Sequence, residues 1–237
     1  MKNINKKLRL ILGDQLNTNH SWFKSVDDDV LYIMMEVRQE TDYVIHHVQK
    51  VLAFFASMRE FAKQLKNDGH RVHYIKLDDP GNSQSITENL CKIIQQNKIT
   101  QFEYQFPDEY RLDQQMSSFC ESLSIATKAV DSEHFLSERH DVKQHFEGKK
   151  QFLMESFYRM MRKRYNIFME NGKPVGDKWN YDVENRKKYD GRVPVPEPLV
   201  FQNNVKDLQQ LLRKMDVNTF GANDNDTLIW PINQIQA

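Results

Sequence analysis

The sequence predicts an α/β protein: an open parallel sheet of about five strands with helices on both faces, followed by a carboxyl-terminal helical and linker extension. Three observations carry that expectation. Short apolar runs recur five times in the first 130 residues. Amphipathic stretches with three- and four-residue spacing separate them. The alternation stops after Val130.

The strands are expected at residues 8–12, 30–35, 72–75, 102–104 and 125–130. The first two are apolar almost throughout, as strands covered on both faces are. The first helix is expected from Asp42, as N-cap, to residue 67. Its apolar positions Val44, Val48, Val51, Leu52, Phe55, Met58, Ala62 and Leu65 fall on one face, and Gly69 supplies a stop. A second helix over 83–96 presents Ile86, Leu90, Ile93 and Ile94, and a third over 112–123 presents Met116, Phe119 and Leu123. Strand then helix, repeated with right-handed crossovers, makes the parallel sheet. Beyond it, 151–168 reads as a helix rich in Met, Phe, Tyr and Arg, 171–174 as a turn, and 193–198 as a stiff proline-rich linker. One more amphipathic stretch covers 205–215. The expected divisions are therefore 1–135 for the α/β domain, 136–192 for a basic helix and loop, and 193–237 for the linker and the start of a truncated helical domain.

Composition narrows the function classes. With 237 residues, 39% hydrophobic and 28% charged, the chain is globular rather than disordered. No apolar run approaches the ~20 residues that span a bilayer, and the first run is too short for a secretory leader. Two cysteines, Cys91 and Cys120, without ligand spacing, read as a reduced cytoplasmic chain with no structural metal. Net charge is zero, yet 139–192 carries 14 Lys and Arg against 8 Asp and Glu, a balance of +6 that leaves −6 for the rest. An anionic partner is one reading of that patch, and a solvated helix face is the commoner one.

In such a sheet, ligands bind beyond the carboxyl ends of the strands, where strand order reverses. Those ends carry Gly13-Asp14-Gln15-Leu16, Met35-Glu36-Val37-Arg38, Asp78-Asp79-Pro80-Gly81, Pro107-Asp108-Glu109-Tyr110-Arg111 and Asp131. Acids dominate, with only Arg38 and Arg111 opposing them, and no glycine-rich phosphate fingerprint is present. A flat, neutral, polar ligand bearing hydroxyls suits that edge. Tyr43, His46 and His47 stand close by, but neighbouring histidines diverge by about 100° on a helix, so a shared metal is disfavoured. No nucleophile–base constellation accompanies them, and no catalytic group is assigned. Further on, Arg159, Arg162 and Lys163 lie off the apolar stripe of their helix, where they can meet phosphates. The loop with Trp179, Asp182 and Arg186 interleaves aromatics with charges, which suits stacking on bases or pinning the loop itself.

Several of these stretches are distinctive together: LILGDQL at 10–16, Tyr43-Val44 through His46-His47, SMREFA at 57–62, RVHY at 71–74, Glu109-Tyr110-Arg111, MESFYRMMRKR at 154–164 and GKPVGDKWNYDVENR at 172–186. In these the chain resembles the prokaryotic iron–sulfur photolyase and cryptochrome group, the deoxyribodipyrimidine photolyase-related proteins that include bacterial (6-4) photolyases. The resemblance implies a Rossmann-like amino-terminal domain that holds an antenna pigment, 6,7-dimethyl-8-ribityllumazine, which passes blue-light excitation to FAD. It implies that FAD, a 4Fe-4S cluster and the lesion pocket belong to a carboxyl-terminal helical domain, which this chain is expected to stop short of. The partners implied are that domain and, for the full-length protein, damaged DNA, with no membrane. Carried over, the antenna residues are Gly13, Asp14, Gln15, Leu16, Met35, Glu36, Glu40 and Tyr43. Site chemistry adds His47 and Glu109. Arg159, Arg162, Lys163, Trp179, Asp182 and Arg186 are assigned to a nucleic-acid or interdomain surface. Full-length relatives of this kind are lyases or photoreceptors. The competing expectation is a nucleic-acid-binding α/β module.

Overall fold

A computed structural model describes residues 6–182, 186 and 188–237. The chain divides into two compact units, Met1–His134 with Leu199–Ala237, and Phe135–Pro198.

The first unit holds a five-stranded sheet: β1 (Lys7–Leu10), β2 (Val30–Met35), β4 (Val72–Ile75), β5 (Gln101–Gln105) and β6 (Ala126–Val130), with β3 (His46–His47) lying outside it. All pairings in the sheet are parallel, in the order β4-β2-β1-β5-β6. The order runs one way from β1 through β2 to β4 and the other way through β5 to β6. The order in which successive strands are added therefore reverses between β1 and β5. This is the Rossmann-like sheet the sequence predicts.

Alternate side chains divide the core into two layers. Leu8 and Leu10 of β1, and Ile33 and Met35 of β2, face α3 (Ile86–Asn97) and α4 (Tyr110–Ser122), meeting Ile86, Leu90, Met116 and Phe119. Val30, Tyr32 and Met34 face α2 (Val48–Asn67), meeting Leu52, Phe55 and Leu65. Central β2 is buried at five of its six positions, while edge strand β6 exposes Ala126, Thr127 and Lys128. A charged residue on an exposed edge discourages further strand pairing.

Local chemistry sets the helix ends. Ser85 caps α3 by accepting from the Glu88 N–H. Gly69, at φ +91°, turns the chain after α2. The expected long helix from Asp42 is broken near its start. A short α1 (Arg38–Asp42) ends where Arg38 pairs with Asp42 at 2.8 Å. Then His46–His47 forms β3, which pairs in parallel with β10 (Thr219–Phe220). His47 becomes the N-cap of α2, accepting from the Gln49 N–H. A partner 173 residues away is invisible to helical periodicity.

Residues Leu199–Ala237 fold with the sheet unit. The helix α7 (Lys206–Lys214) buries Leu208, Leu211 and Leu212 in the same layer as α2. The bridge β9 (Asn203–Asn204) with β11 (Thr227–Leu228) flanks it. In the second unit, α5 (Asp141–Phe146) and α6 (Met154–Tyr165) are followed by a small hairpin, β7 (Met169–Glu170) with β8 (Lys173–Pro174). No helix among the described residues is long and apolar enough to cross a membrane.

Candidate functional site

A cavity of about 280 Å³ opens at the carboxyl ends of β1 and β2. Its walls are apolar: Leu10, Leu12, Met35, Val37, Val51 and Phe55 among them. Polar groups gather beside them: Asp14, Glu40, Thr41, Tyr43, His46, Lys50 and Glu109. The elements explain the arrangement. Parallel strands end on one edge, α2 crosses that edge with its amino-terminal half, and α1 and α4 begin there.

Gly13 lets β1 leave the sheet beneath α2. A Cβ there would stand 3.0 Å from the Met58 Sδ and 3.1 Å from a Phe54 ring carbon. Asp14 shows its carboxylate to solvent in a recess crowded by protein. That crowding lifts its pKa above the ordinary 3.8; Asp108 and Glu40 push the same way, against its own backbone amide and His134. The folded state therefore holds this proton better than the unfolded chain. The contribution is fully present below 3.8 and is lost as pH rises through the raised value. Replacing Asp14 removes that loss. The urea midpoint of Asp14→Asn is expected to gain on the parent between pH 4 and pH 7, modestly, because solvent reaches the carboxylate. A difference that shrinks over that interval contradicts the assignment.

Glu40, Glu109 and Tyr43 share one cation. Arg111 donates to Glu40 at 3.0 and 3.2 Å and to Glu109 at 2.9 and 3.0 Å, with its guanidinium carbon 4.3 Å from the Tyr43 ring centre. The carboxylates at the α4 end are thus held in place by a planar fork suited to them.

Of the residues singled out from sequence, Gly13, Asp14, Met35, Glu40, Tyr43 and Glu109 line this cavity together. Gln15, Leu16, Glu36 and His47 do not. Gln15 is buried, accepting from the Leu12 N–H and donating to the Gln105 carbonyl, which ties β1 to β5 across the point of reversal. Leu16 packs against the α2 layer. Glu36 is fully buried in an ion pair with Arg59 at 2.6 Å. His47 turns toward Phe220, with ring centres 5.2 Å apart.

Sequence reasoning placed no lysine here, yet Lys50 lines the cavity and stands 3.2 Å from the His46 Nδ1. His46 and Lys50, not His47, face the space. The signal lay in the four-residue spacing of 46, 50 and 54, readable once α2 is known to begin at Val48.

In the second unit, Arg162 is 6% exposed. It donates to the carbonyls of Ile167, Phe168 and Trp179. Its guanidinium lies 5.3 Å from the Trp179 ring, which Arg159 and Lys163 also approach, at 5.3 and 5.5 Å. Arg159 pairs with Glu155 at 2.9 Å. Asp182 and Arg186 make an exposed pair at 3.1 Å, while residues 183–185 and 187 of that loop lie outside the described residues. Trp179 thus stacks on this unit's own cations.

Residues 9–228 match the family model described as deoxyribodipyrimidine photo-lyase-related protein. The chain is 31% identical over 223 residues to the (6-4) photolyase of Agrobacterium fabrum, covering 92% of this chain and 44% of that protein. It is 26% identical over 170 residues to an uncharacterized protein of Acanthamoeba polyphaga mimivirus, covering 70% of this chain and 82% of that protein. The chain spans less than half the length of the photolyase it matches. The family match itself begins within β1 and closes at the end of β11, taking in the cavity-bearing unit and the basic one alike, and the chain belongs to the deoxyribodipyrimidine photolyase-related protein family.

Proposed function

We propose that the chain is the antenna unit of a photolyase- or cryptochrome-like flavoprotein, and that its cavity holds 6,7-dimethyl-8-ribityllumazine. The single observation that carries this reading is the lining of the cavity. Apolar side chains flank a space of about 280 Å³, near the lower end of ligand clefts at ~300–1,000 Å³. That combination fits a flat bicyclic ring with a hydroxylated chain. Leu10, Leu12, Met35 and Val51 exclude water from the ring, and the carboxylates of Asp14, Glu40 and Glu109 accept from hydroxyl and ring N–H groups. When bound, the pigment supplies blue-light absorption and transfers excitation onward to FAD. In this proposal FAD and the 4Fe-4S cluster belong to a helical domain of the full-length protein, where light-dependent repair of damaged DNA or blue-light sensing takes place. The thiols here, Cys91 and Cys120, are free, and two cysteines fall short of a four-cysteine set.

Titration with the lumazine, followed by its fluorescence, tests the reading. Saturable binding in the micromolar range is expected, and Met35→Trp, which fills the cavity from β2, abolishes it. A parent protein that leaves lumazine fluorescence unchanged at about 100 μM, a binding energy below about 5.5 kcal/mol, sinks the proposal. A nucleic-acid-binding role for the second unit is the alternative. It rests on Arg159 and Lys163, which keep their charge at the surface beside Trp179, and it requires DNA affinity that falls steeply with salt.

A further inference from the structure

His46 and Tyr43 form one wall of the cavity, yet the segment that carries them has little helix or sheet of its own. Between α1 and α2 the chain exposes Val44 and Ile45, and its strand-like stretch is only His46–His47. What pairs with that stretch is β10, from the far end of the sequence, through Thr219 opposite His46 and Phe220 opposite His47. The contact continues into side chains. Gly221 adopts φ +77°, and a Cβ there would lie 2.1 Å from the His47 Nε2 and 2.4 Å from its Cδ2. Two contacts orient the ring. Its Nδ1 accepts the Gln49 N–H at the start of α2, and its plane stands at 89° to that of the Phe220 ring. Gln49 adds a second fastening: its amide donates to the Ala222 carbonyl at 3.2 Å and accepts from the Trp230 indole N–H at 3.2 Å. The strap is itself anchored, because α7 buries its leucines against the α2 layer and Gln209 holds the carbonyls of Asn223 and Asn225 at 3.0 Å.

We propose that residues Leu199–Ala237 act as a clamp on the Tyr43–His46 wall of the cavity, with the Gly221–His47 contact as its latch. Gly221 and His47 are positioning residues: neither lines the cavity, and both fix the backbone of residues that do. The affinity arm of the test below rests on the lumazine reading, whereas the exchange arm does not.

Three variants of the whole chain decide the matter. Gly221→Ala forces a methyl into the imidazole. The double variant Gly221→Ala with His47→Ser removes the ring while keeping a side-chain acceptor for the helix cap. Gln49→Ala cuts the second fastening with no backbone strain, and it serves if Gly221→Ala does not fold. Amide hydrogen exchange over residues 43–47 is expected to speed up about tenfold or more in Gly221→Ala and in Gln49→Ala, with β1 and β2 unchanged, as a local opening would do. Lumazine affinity is expected to fall about tenfold alongside, because the wall is no longer preorganised. Both effects recover in part in the double variant, which relieves the clash with the imidazole but leaves the methyl strained at φ +77° and gives up the ring's contact with Phe220. Exchange over 43–47 that stays at the parent rate in Gly221→Ala and Gln49→Ala overturns the clamp. A double variant as loose as Gly221→Ala overturns the latch. If the parent protein binds no lumazine, the ligand reading falls, and the exchange arm still decides the clamp.

Discussion

Glu36→Ala is expected to cost the first unit about 3–5 kcal/mol, the range for breaking one partner out of a buried ion pair. Glu36 has no solvent exposure, and its carboxylate takes four hydrogen bonds. Arg59 supplies two, at 2.6 and 2.9 Å, the Tyr74 hydroxyl one at 2.7 Å, and the Leu77 N–H one at 3.0 Å. Burial, with the carboxylate beside it adding to the effect, drives the Tyr74 hydroxyl well above the ordinary tyrosine range. Removing the acid leaves a guanidinium, a hydroxyl and a backbone amide without their acceptor at the end of β2. Arg59 retains partial access to water, which places the loss toward the lower end of the range. A urea midpoint that falls with an unchanged slope is the expected observation. A loss below about 1 kcal/mol, the scale of an exposed pair, contradicts this account. Glu36→Gln keeps the volume but puts an amide N–H against a donor, so it should recover only part of the loss.

Arg162→Met is expected to be the most damaging single change in the second unit. The interior there is small: Phe146, Phe157, Asp141 and Arg162 are the buried residues among those described between Phe135 and Pro198. The guanidinium satisfies three carbonyls that follow the end of α6 and fastens Trp179 and Phe168 by its face. Hydrogen bonds to a charged donor contribute about 1.5–3 kcal/mol each, so about 3–5 kcal/mol is at stake after relaxation of the exposed carbonyls. The check is limited proteolysis: cleavage within 166–182 accelerates, and tryptophan emission shifts to the red as Trp179 is released. Arg159→Met, which gives up an exposed pair with Glu155 and one face contact with Trp179 but no backbone carbonyl, should leave the cleavage rate near that of the parent and shift the emission far less. Equal effects from the two substitutions would contradict the structural role given to Arg162.

The sheet was legible in the sequence because its signals are local. Apolar runs of β2 and the repeated amphipathic stretches report burial on two faces without any knowledge of partners. The site was legible in part for the same reason: residues directly after a strand, such as Gly13, Asp14 and Met35, must lie at its carboxyl edge. Side-chain direction was not. Glu36 follows Met35 by one residue, and alternation in an extended chain sends it into the opposite layer, onto Arg59. His47 lost its expected place to His46 through a pairing with Thr219–Phe220 that no local pattern encodes. Arg162 looked like part of a basic face because its charge is visible in sequence, whereas the three carbonyls it serves come together only after the chain has turned back at Asn166, in a left-handed conformation.

The bridge between β3 and β10 also orders events in time. Gln49 and Ala222, which meet beside it, are 173 residues apart. At ribosomal rates of about 5–20 residues per second, roughly 10–35 s pass between synthesis of the two. All five sheet strands have emerged well before the later one, so a nascent chain builds its sheet with the wall at residues 43–47 still open. Any ligand that reaches the cavity before Ala222 is made meets an unfinished mouth. The sheet sets where the cavity lies, and residues Leu199–Ala237 set when its wall is closed.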